Sequence, residues 1–435
     1  MGKDQRLEIK KQLFKAERLL QAKQLKKAGK NYHLVGNLLL KLDEFEEAKD
    51  CFMKSAKIFM EIDRFDTSLE LFRQSGEACL RANKFIDANQ IYKNVLNLIP
   101  RLKSEGDRNS NYVLFSVLSY MCSYVKGTPN EALEFLKRTS KKIENEFFKE
   151  HQLIKLVSEI TLALRDNESN YLKKIKDNIG NYKFRATELK LLKYILLITH
   201  IKLSITTALK LDKAVYTTNE ILNLDLKLNT KSLMQIINDS FYQFELKQFN
   251  INKFSIGLSD NLTTNHKPTV PLSLDMGKET ILKFKIKPQF QVDNSSIGPM
   301  VLTFELNNDL VFLYETQSIV PNLVSPPATL IASVRNLRPP LLDQTFPFEI
   351  TIENQSQGEA LDLKLNVEFP EQLKIMRGTT NKQIYSLRSN EDIKWEINLK
   401  PLEAGDYIIK IFINFVDPDQ NNIEEIKEFP FSVKL

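Results

Sequence analysis

Cysteine, glycine, proline and tryptophan are all scarce in this chain of 435 residues, and the scarcity excludes whole classes of protein. Three cysteines, Cys51, Cys79 and Cys122, are too few and too widely spaced for a disulfide framework, and none forms a C-x-x-C pair that could hold zinc. Reduced, buried thiols are expected. With 13 Gly, 16 Pro and 27% charged residues, the composition lies outside the collagen-like and disordered classes. Long apolar runs are missing too: the most apolar window, Leu191 to Leu209, is interrupted by Lys193, His200 and Lys202. The charged opening Met1-Gly2-Lys3-Asp4-Gln5-Arg6 has no apolar stretch of the secretory kind. The expectation is a cytoplasmic protein without a transmembrane segment, with about three domains at roughly 150 residues each.

Signatures of chemistry are equally scarce. His33, His151, His200 and His266 occur singly, and the chain has no H-E-x-x-H, no P-loop, no G-x-S-x-G elbow and no G-x-G-x-x-G after a strand. Asp417, Asp419, Asn421 and Glu428 imitate calcium-loop spacing, but Asn422 stands where such a loop needs its turn glycine, so a hairpin turn is expected. A non-enzymatic protein with no catalytic residues, no cofactor and no metal follows as the expectation.

What the sequence does have is a division. Residues 1 to 240 carry 42 Lys+Arg against 30 Asp+Glu, residues 241 to 435 carry 19 against 25, and the modest total of +6 hides both imbalances. Proline divides at the same place, with only Pro100 and Pro129 before residue 241. Because proline lacks an N–H and clashes with the preceding helical turn, the first part reads as helical.

That first part repeats itself. Setting Gly36 against Gly76 superposes Tyr32 on Phe72, Phe45 on Phe85, Ala48 on Ala88 and Phe52 on Tyr92, an offset of 40 residues. A degenerate third copy has Glu131-Ala132 and Leu136. The small residues let helix backbones approach, and an aromatic four residues after each alanine fills the gap. Pro100 reads as a helix stop, and Thr128-Pro129-Asn130-Glu131 as a helix start.

This Gly, Ala and aromatic pattern resembles the tetratricopeptide repeat (TPR), with helices lengthened by the 40-residue period. The longer form is similar to the soluble NSF attachment proteins, the SNAP family, over about residues 5 to 205. Tyr112 to Tyr120, Asn130-Glu131-Ala132, Glu150 to Val157 and Asp166 to Tyr171 follow the order of that family's later elements. The resemblance implies an α-solenoid adaptor that lays a basic face along an acidic, SNARE-like helical bundle and recruits a hexameric ATPase.

Two basic clusters are the candidate partner-binding residues. In the first, Lys10, Lys11, Lys15 and Arg18 surround Leu7, Leu13, Phe14, Leu19 and Leu20 as in a basic amphipathic helix. Such a helix either attaches peripherally to an anionic membrane or acidic partner, or caps the helical array with its apolar stripe. In the second, Lys173, Lys174 and Lys176 precede Arg185, and a solvated helix face is the competing account. Nucleic acid is not expected, because no recognition module accompanies the charge.

From about residue 243 the apolar period changes to two. Leu282, Phe284 and Ile286 alternate with lysines, and Leu361 to Val367 and Ile393 to Leu399 alternate likewise, as strands with one buried face do. Turn clusters separate them, among them Asp293 to Ser296, Asn354 to Gly358 and Asp417 to Asn422. Gly405-Asp-Tyr407, at the entry to a strand ending near Val416, resembles the tyrosine corner of immunoglobulin-like folds. The expected fold class is multidomain α plus all-β. It comprises a TPR/SNAP-like solenoid over 1–245, a β-sandwich over 246–325 and an immunoglobulin-like sandwich over 326–435, joined at Val324-Ser-Pro-Pro-Ala328. The expected function is a protein-binding adaptor or scaffold in vesicle trafficking; the alternative is a subunit of a TRAPP-like tether or a coat that assembles through its β domains.

Overall fold

The computed structural model describes the chain except residues 1, 129, 131–132, 135, 138–140, 142–150, 219, 290–294, 325, 419 and 435. The expected third repeat copy at Glu131-Ala132, Pro129 and Glu131 of the helix start, Glu150, Asp293 and Asp419 therefore lie outside the described residues. A helical N-terminal part is followed by antiparallel sheets.

Five helices run α1 Gly2–Gln21, α2 Leu25–Leu40, α3 Phe45–Glu61, α4 Phe65–Arg81 and α5 Phe85–Leu96, each packed on its neighbours in the chain. Left-handed residues close the first four, at Lys23, Asp43, Asp63 and Asn83, evenly spaced by twenty. At each turn the following N–H reaches back to a carbonyl five residues earlier, as Arg64 does to Phe59 at 2.9 Å and Lys84 to Cys79 at 2.9 Å. Two such steps make the 40-residue sequence period. The small-residue reading holds at atomic level: a Cβ on Gly36 would stand 2.7 Å from the Phe52 ring, and one on Gly76 would stand 2.3 Å from Tyr92. Pro100 sits in a short 3-10 turn after α5. Then come α6 Glu105–Val125, α7 Gln152–Asp166, α8 Asn170–Asn178 and α9 Ala186–Ser204, and α9 returns to pack on α6 and α4.

The helices end sooner than expected. Strands β1 Thr206–Leu211, β2 Val215–Thr217 and β3 Leu222–Asn229 form ahead of residue 246, with one short helix, α10 Leu233–Ile237, after them. The signal was present in Leu222-Asn-Leu-Asp-Leu-Lys-Leu-Asn, whose four leucines are all buried while the residues between them are not. Leucine also favours helices and the stretch holds no proline, so proline scarcity concealed a strand.

The next strands are β4 Phe249–Leu258, β5 Leu262–His266, β6 Leu272–Ser273, β7 Glu279–Pro288, β8 Ile297–Leu306 and β9 Leu310–Glu315. They join the first ones in two sheets, ordered β1-β3-β7-β5 and β6-β4-β8-β9. After β10 Asn322–Val324, which pairs parallel with β2, a second pair of sheets follows. It uses β11 Leu330–Asn336, β12 Phe346–Asn354, β13 Ala360–Glu368, β14 Leu373–Arg377, β15 Asn381–Leu387, β16 Asp392–Pro401, β17 Gly405–Val416 and β18 Asn422–Val433. Their orders are β11-β12-β16-β14 and β15-β13-β17-β18. With β2 set aside, the second pair repeats the topology of the first strand for strand.

The cores show how these parts combine. One continuous apolar cluster runs from Ile9 in α1 to Leu323 in β10, so the helices and the first sheet pair share an interior. A separate cluster, from Ala328 to Val433, fills the second pair. The hairpin tip between β8 and β9 fastens the shared body: Asp309 accepts from Asn83 at 2.9 Å and also takes the Lys126 ammonium.

Candidate interaction surfaces

The eight basic residues singled out in the sequence divide into those free to meet a partner and those already engaged. Lys10, Lys11, Lys15 and Arg18 are exposed on α1. Ile9 and Ala16 point inward against the array, while Leu7 and Phe14 lie on the opposite side, 55% and 61% exposed. The guanidinium of Arg18 covers the Phe14 ring at 5.5 Å. Ile9, Leu13, Ala16 and Leu19 therefore pack α1 on the array, while Leu7 and Phe14 form an outward stripe set among cations.

Lys173 and Lys174 are also exposed, on α8, with Lys174 leaning over Tyr171. Lys176 is engaged. Its ammonium pairs with Asp239 at 2.7 Å and stands 4.3 Å from the Tyr242 ring centre. Burial opposes the Asp239 charge, but hydrogen bonds from Lys176 and from the Phe241 N–H hold its carboxyl below the usual value. The neighbouring His200 meets Tyr242 at 3.0 Å, and burial, aided by the Lys176 charge, pushes its imidazole down to about 4.

Arg185 departs furthest from the expectation of a partner contact. Its guanidinium donates to both oxygens of Glu70 at 3.1 Å and to Glu77 at 2.7 Å. Burial works against its charge, yet these two carboxylates outweigh it and raise its pKa above the ordinary arginine value. Arg73 completes the network through Glu77 and Glu188, and the Glu188 side chain accepts the Arg185 N–H at 3.0 Å to cap α9. Burial pushes the Glu77 carboxyl up despite Arg185 beside it. Beside this network a polar cleft of about 270 Å³ is lined by Asp66, Glu70, Arg73, Asp107 and Asn111. It is acidic, the opposite of the basic face expected around Arg185. Sequence reasoning missed this network because its pairs between helices, Arg185 with Glu70 and Glu77 and Arg73 with Glu188, join residues 108 to 115 positions apart.

A further surface went unnoticed, on the outer side of β17 and β18. Ile409, Ile411, Ile413 and Phe415 of β17 point into the core, and the residues between them point out. Register places outward Ile408 beside Pro430, Lys410 beside Glu428 and Phe412 beside Ile426. Ile408 and Ile426 are 54% and 58% exposed. A signal existed: Ile408 to Phe415 is almost continuously apolar, as in strands covered on both faces. At the entry to β17 the Tyr407 hydroxyl donates to the Glu403 carbonyl at 3.0 Å. The expected hairpin turn is also present, with Asp417 accepting from the Asn421 N–H at 2.8 Å.

Among the described residues, no helix is long and apolar enough to cross a membrane, and no group of three or more His, Cys, Asp or Glu is placed to hold a metal ion. No family model matches the chain, and no curated protein matches it. Among solved structures, it is similar to red sea bream transglutaminase at 7% identity and a TM-score of 0.21, covering 61% of this chain and 34% of that one. The chain thus spans about a third of that protein's length, and a likeness this slight carries no argument.

Proposed function

We propose that the protein is a non-enzymatic scaffold, a TPR/SNAP-like solenoid carrying two immunoglobulin-like sandwiches, that binds acidic helical partners in membrane trafficking through the outward face of α1. The observation that carries this reading is the stripe of Leu7 and Phe14 among Lys10, Lys11, Lys15 and Arg18, apolar and cationic together and exposed among the described residues. The evenly spaced helical turns and the Gly–aromatic contacts support the solenoid. For the sandwiches, the orders β11-β12-β16-β14 and β15-β13-β17-β18 occupy the places A-B-E-D and C′-C-F-G of immunoglobulin-like domains, with Tyr407 at the start of the F place, although the strand in the D place precedes the one in the C′ place along the chain. Lys176 and Arg185 belong to the protein's own framework in this reading.

The test is a pull-down with SNARE-type helical bundles at low and high salt, comparing the parent chain with Lys10→Glu/Lys11→Glu/Lys15→Glu. Salt-sensitive capture that the triple variant loses is expected; capture indifferent to both sinks the reading. One observation favours a second reading, the tether or coat subunit assembling through its β domains: the uncovered outer face of β17 and β18. Deleting residues 326–435 separates the two, because the cut falls between the two cores. Partner capture survives under the first reading and fails under the second.

A further inference from the structure

The two ends of the chain are complementary. The first 30 residues carry ten Lys/Arg against three Asp/Glu, and the last 35 carry seven Asp/Glu against three Lys. Each end also exposes apolar side chains beside its charge: Leu7 and Phe14 on α1, Ile408 and Ile426 on the β17–β18 hairpin. Glu424 and Glu428 flank Ile426 on that hairpin face, and Lys11 and Arg18 flank Phe14 on the helix.

The first sheet pair has the matching strand: β9 holds the place that β18 holds in the second, and this chain's own helices meet β9 along its edge while its outward Leu313 stays 38% exposed. Tyr314 donates to the Ile205 carbonyl just past α9 at 3.1 Å, and Val311 bridges to Lys126 just past α6. Among the described residues, the matching strand of the second pair packs chiefly on β17. Its neighbour β17 nonetheless carries the near-continuous apolar sequence of a strand covered on both sides.

From these observations we infer that α1 of one copy docks on the outer face of β17 and β18 of a second copy, joining molecules head to tail. Lys410 pairs with Glu428 at 3.2 Å on the hairpin face, which with Glu424 still carries two carboxylates against one ammonium. Pairing α1 with α1 sets cations against cations and pairing two hairpin faces sets net acid against net acid, whereas the mixed contact brings opposite net charges together. Dimensions agree, since a 20-residue helix is about 30 Å long and a 12-residue strand about 40 Å. One helix on two strands buries less than the ~1,200 Å² of a lasting interface, so the association is reversible. The contact is heterologous and does not close on itself as a two-fold dimer would, so chains of several copies form as concentration rises. The inference uses the same α1 face as the proposed function, but its test uses the purified chain alone, so its failure leaves the reading with acidic helical partners standing.

The experiment is sedimentation velocity of the full chain over a concentration series at low and high salt. Three further samples are Lys11→Glu/Lys15→Glu, Glu424→Lys/Glu428→Lys and an equimolar mixture of the two. All four positions are exposed, and an unchanged melting temperature confirms that each variant is folded. The parent is expected to associate with concentration and to dissociate with salt. Either reversal alone weakens association ~10-fold or more, and mixing restores it because the altered helix of one meets the altered hairpin of the other. A parent that stays monomeric overturns the inference, including one whose α1 binds anionic vesicles instead. So do reversals that associate like the parent, and a mixture that restores nothing.

Discussion

At the residue scale, the helical array is fixed by contacts that admit no extra atom. The space of a Cβ on Gly76 is already taken by the Tyr92 ring, which is fully buried and cannot swing aside into solvent. Gly76→Ala is expected to cost about 1–3 kcal/mol, measured by chemical denaturation, with part of the loss recovered by Tyr92→Leu. His200 sets a pH dependence. Its folded value of about 4 lies below the ordinary histidine value of 6.5, so between them the unfolded chain binds a proton that the folded chain refuses. Stability contributed by the neutral imidazole is full above about pH 6.5 and declines as the pH falls toward 4. Melting temperatures taken at pH 7 and pH 5 are expected to differ less in His200→Gln than in the parent. These two residues were unequally legible: the 40-residue offset announced Gly76 and Tyr92, whereas nothing near His200 in sequence revealed that Lys176 and Tyr242 would surround it.

At the scale of elements, the return of α9 to α4 rests on a charge network between helices far apart in the chain. Arg185→Met leaves Glu77, which is largely buried, with Arg73 alone at 3.5 Å, and is expected to destabilise the protein by about 1–3 kcal/mol in urea titration. Glu77→Gln should cost less, because burial already disfavours the charge that it removes. If Arg185 were instead a partner contact, Arg185→Met would leave stability unchanged and weaken binding. The strands had a simpler logic. Alternation identifies β7, β13 and β16, where one face is covered, but β1 and β3 fall in the part expected to be helical because leucine without proline is ambiguous between the two periods.

At the scale of the whole molecule, two cores imply two cooperative units. Calorimetry of the full chain should show two transitions, and a fragment of residues 1–325 should keep one of them at an unchanged temperature. A cut at residue 245 should behave differently, since it takes β4 and β7 to β9 away from the helices whose core they share, and soluble expression of 1–245 is expected to fail. The joint between the units is held at both ends. β10 pairs with β2, and a Cβ on Gly358 would stand 2.0 Å from the Pro326 carbonyl oxygen, so Gly358→Ala should lower the transition of the second unit alone.

The sequence by itself determined the order of helices then strands, the 40-residue repeat with its packing pairs and the unequal charge of the two parts. All of these follow from periodicity, composition and contacts between near neighbours. Only the tertiary structure decided which cations remain free. Lys176 and Arg185 read in sequence like Lys11 and Arg18, but their counter-charges arrive from segments tens to more than a hundred residues away. The structure also decided that the first sheet pair belongs to the helical body and that one face of β17 has no cover. Burial is a property of what packs on an element, and in both places the covering element is distant in the chain or belongs to another copy of it.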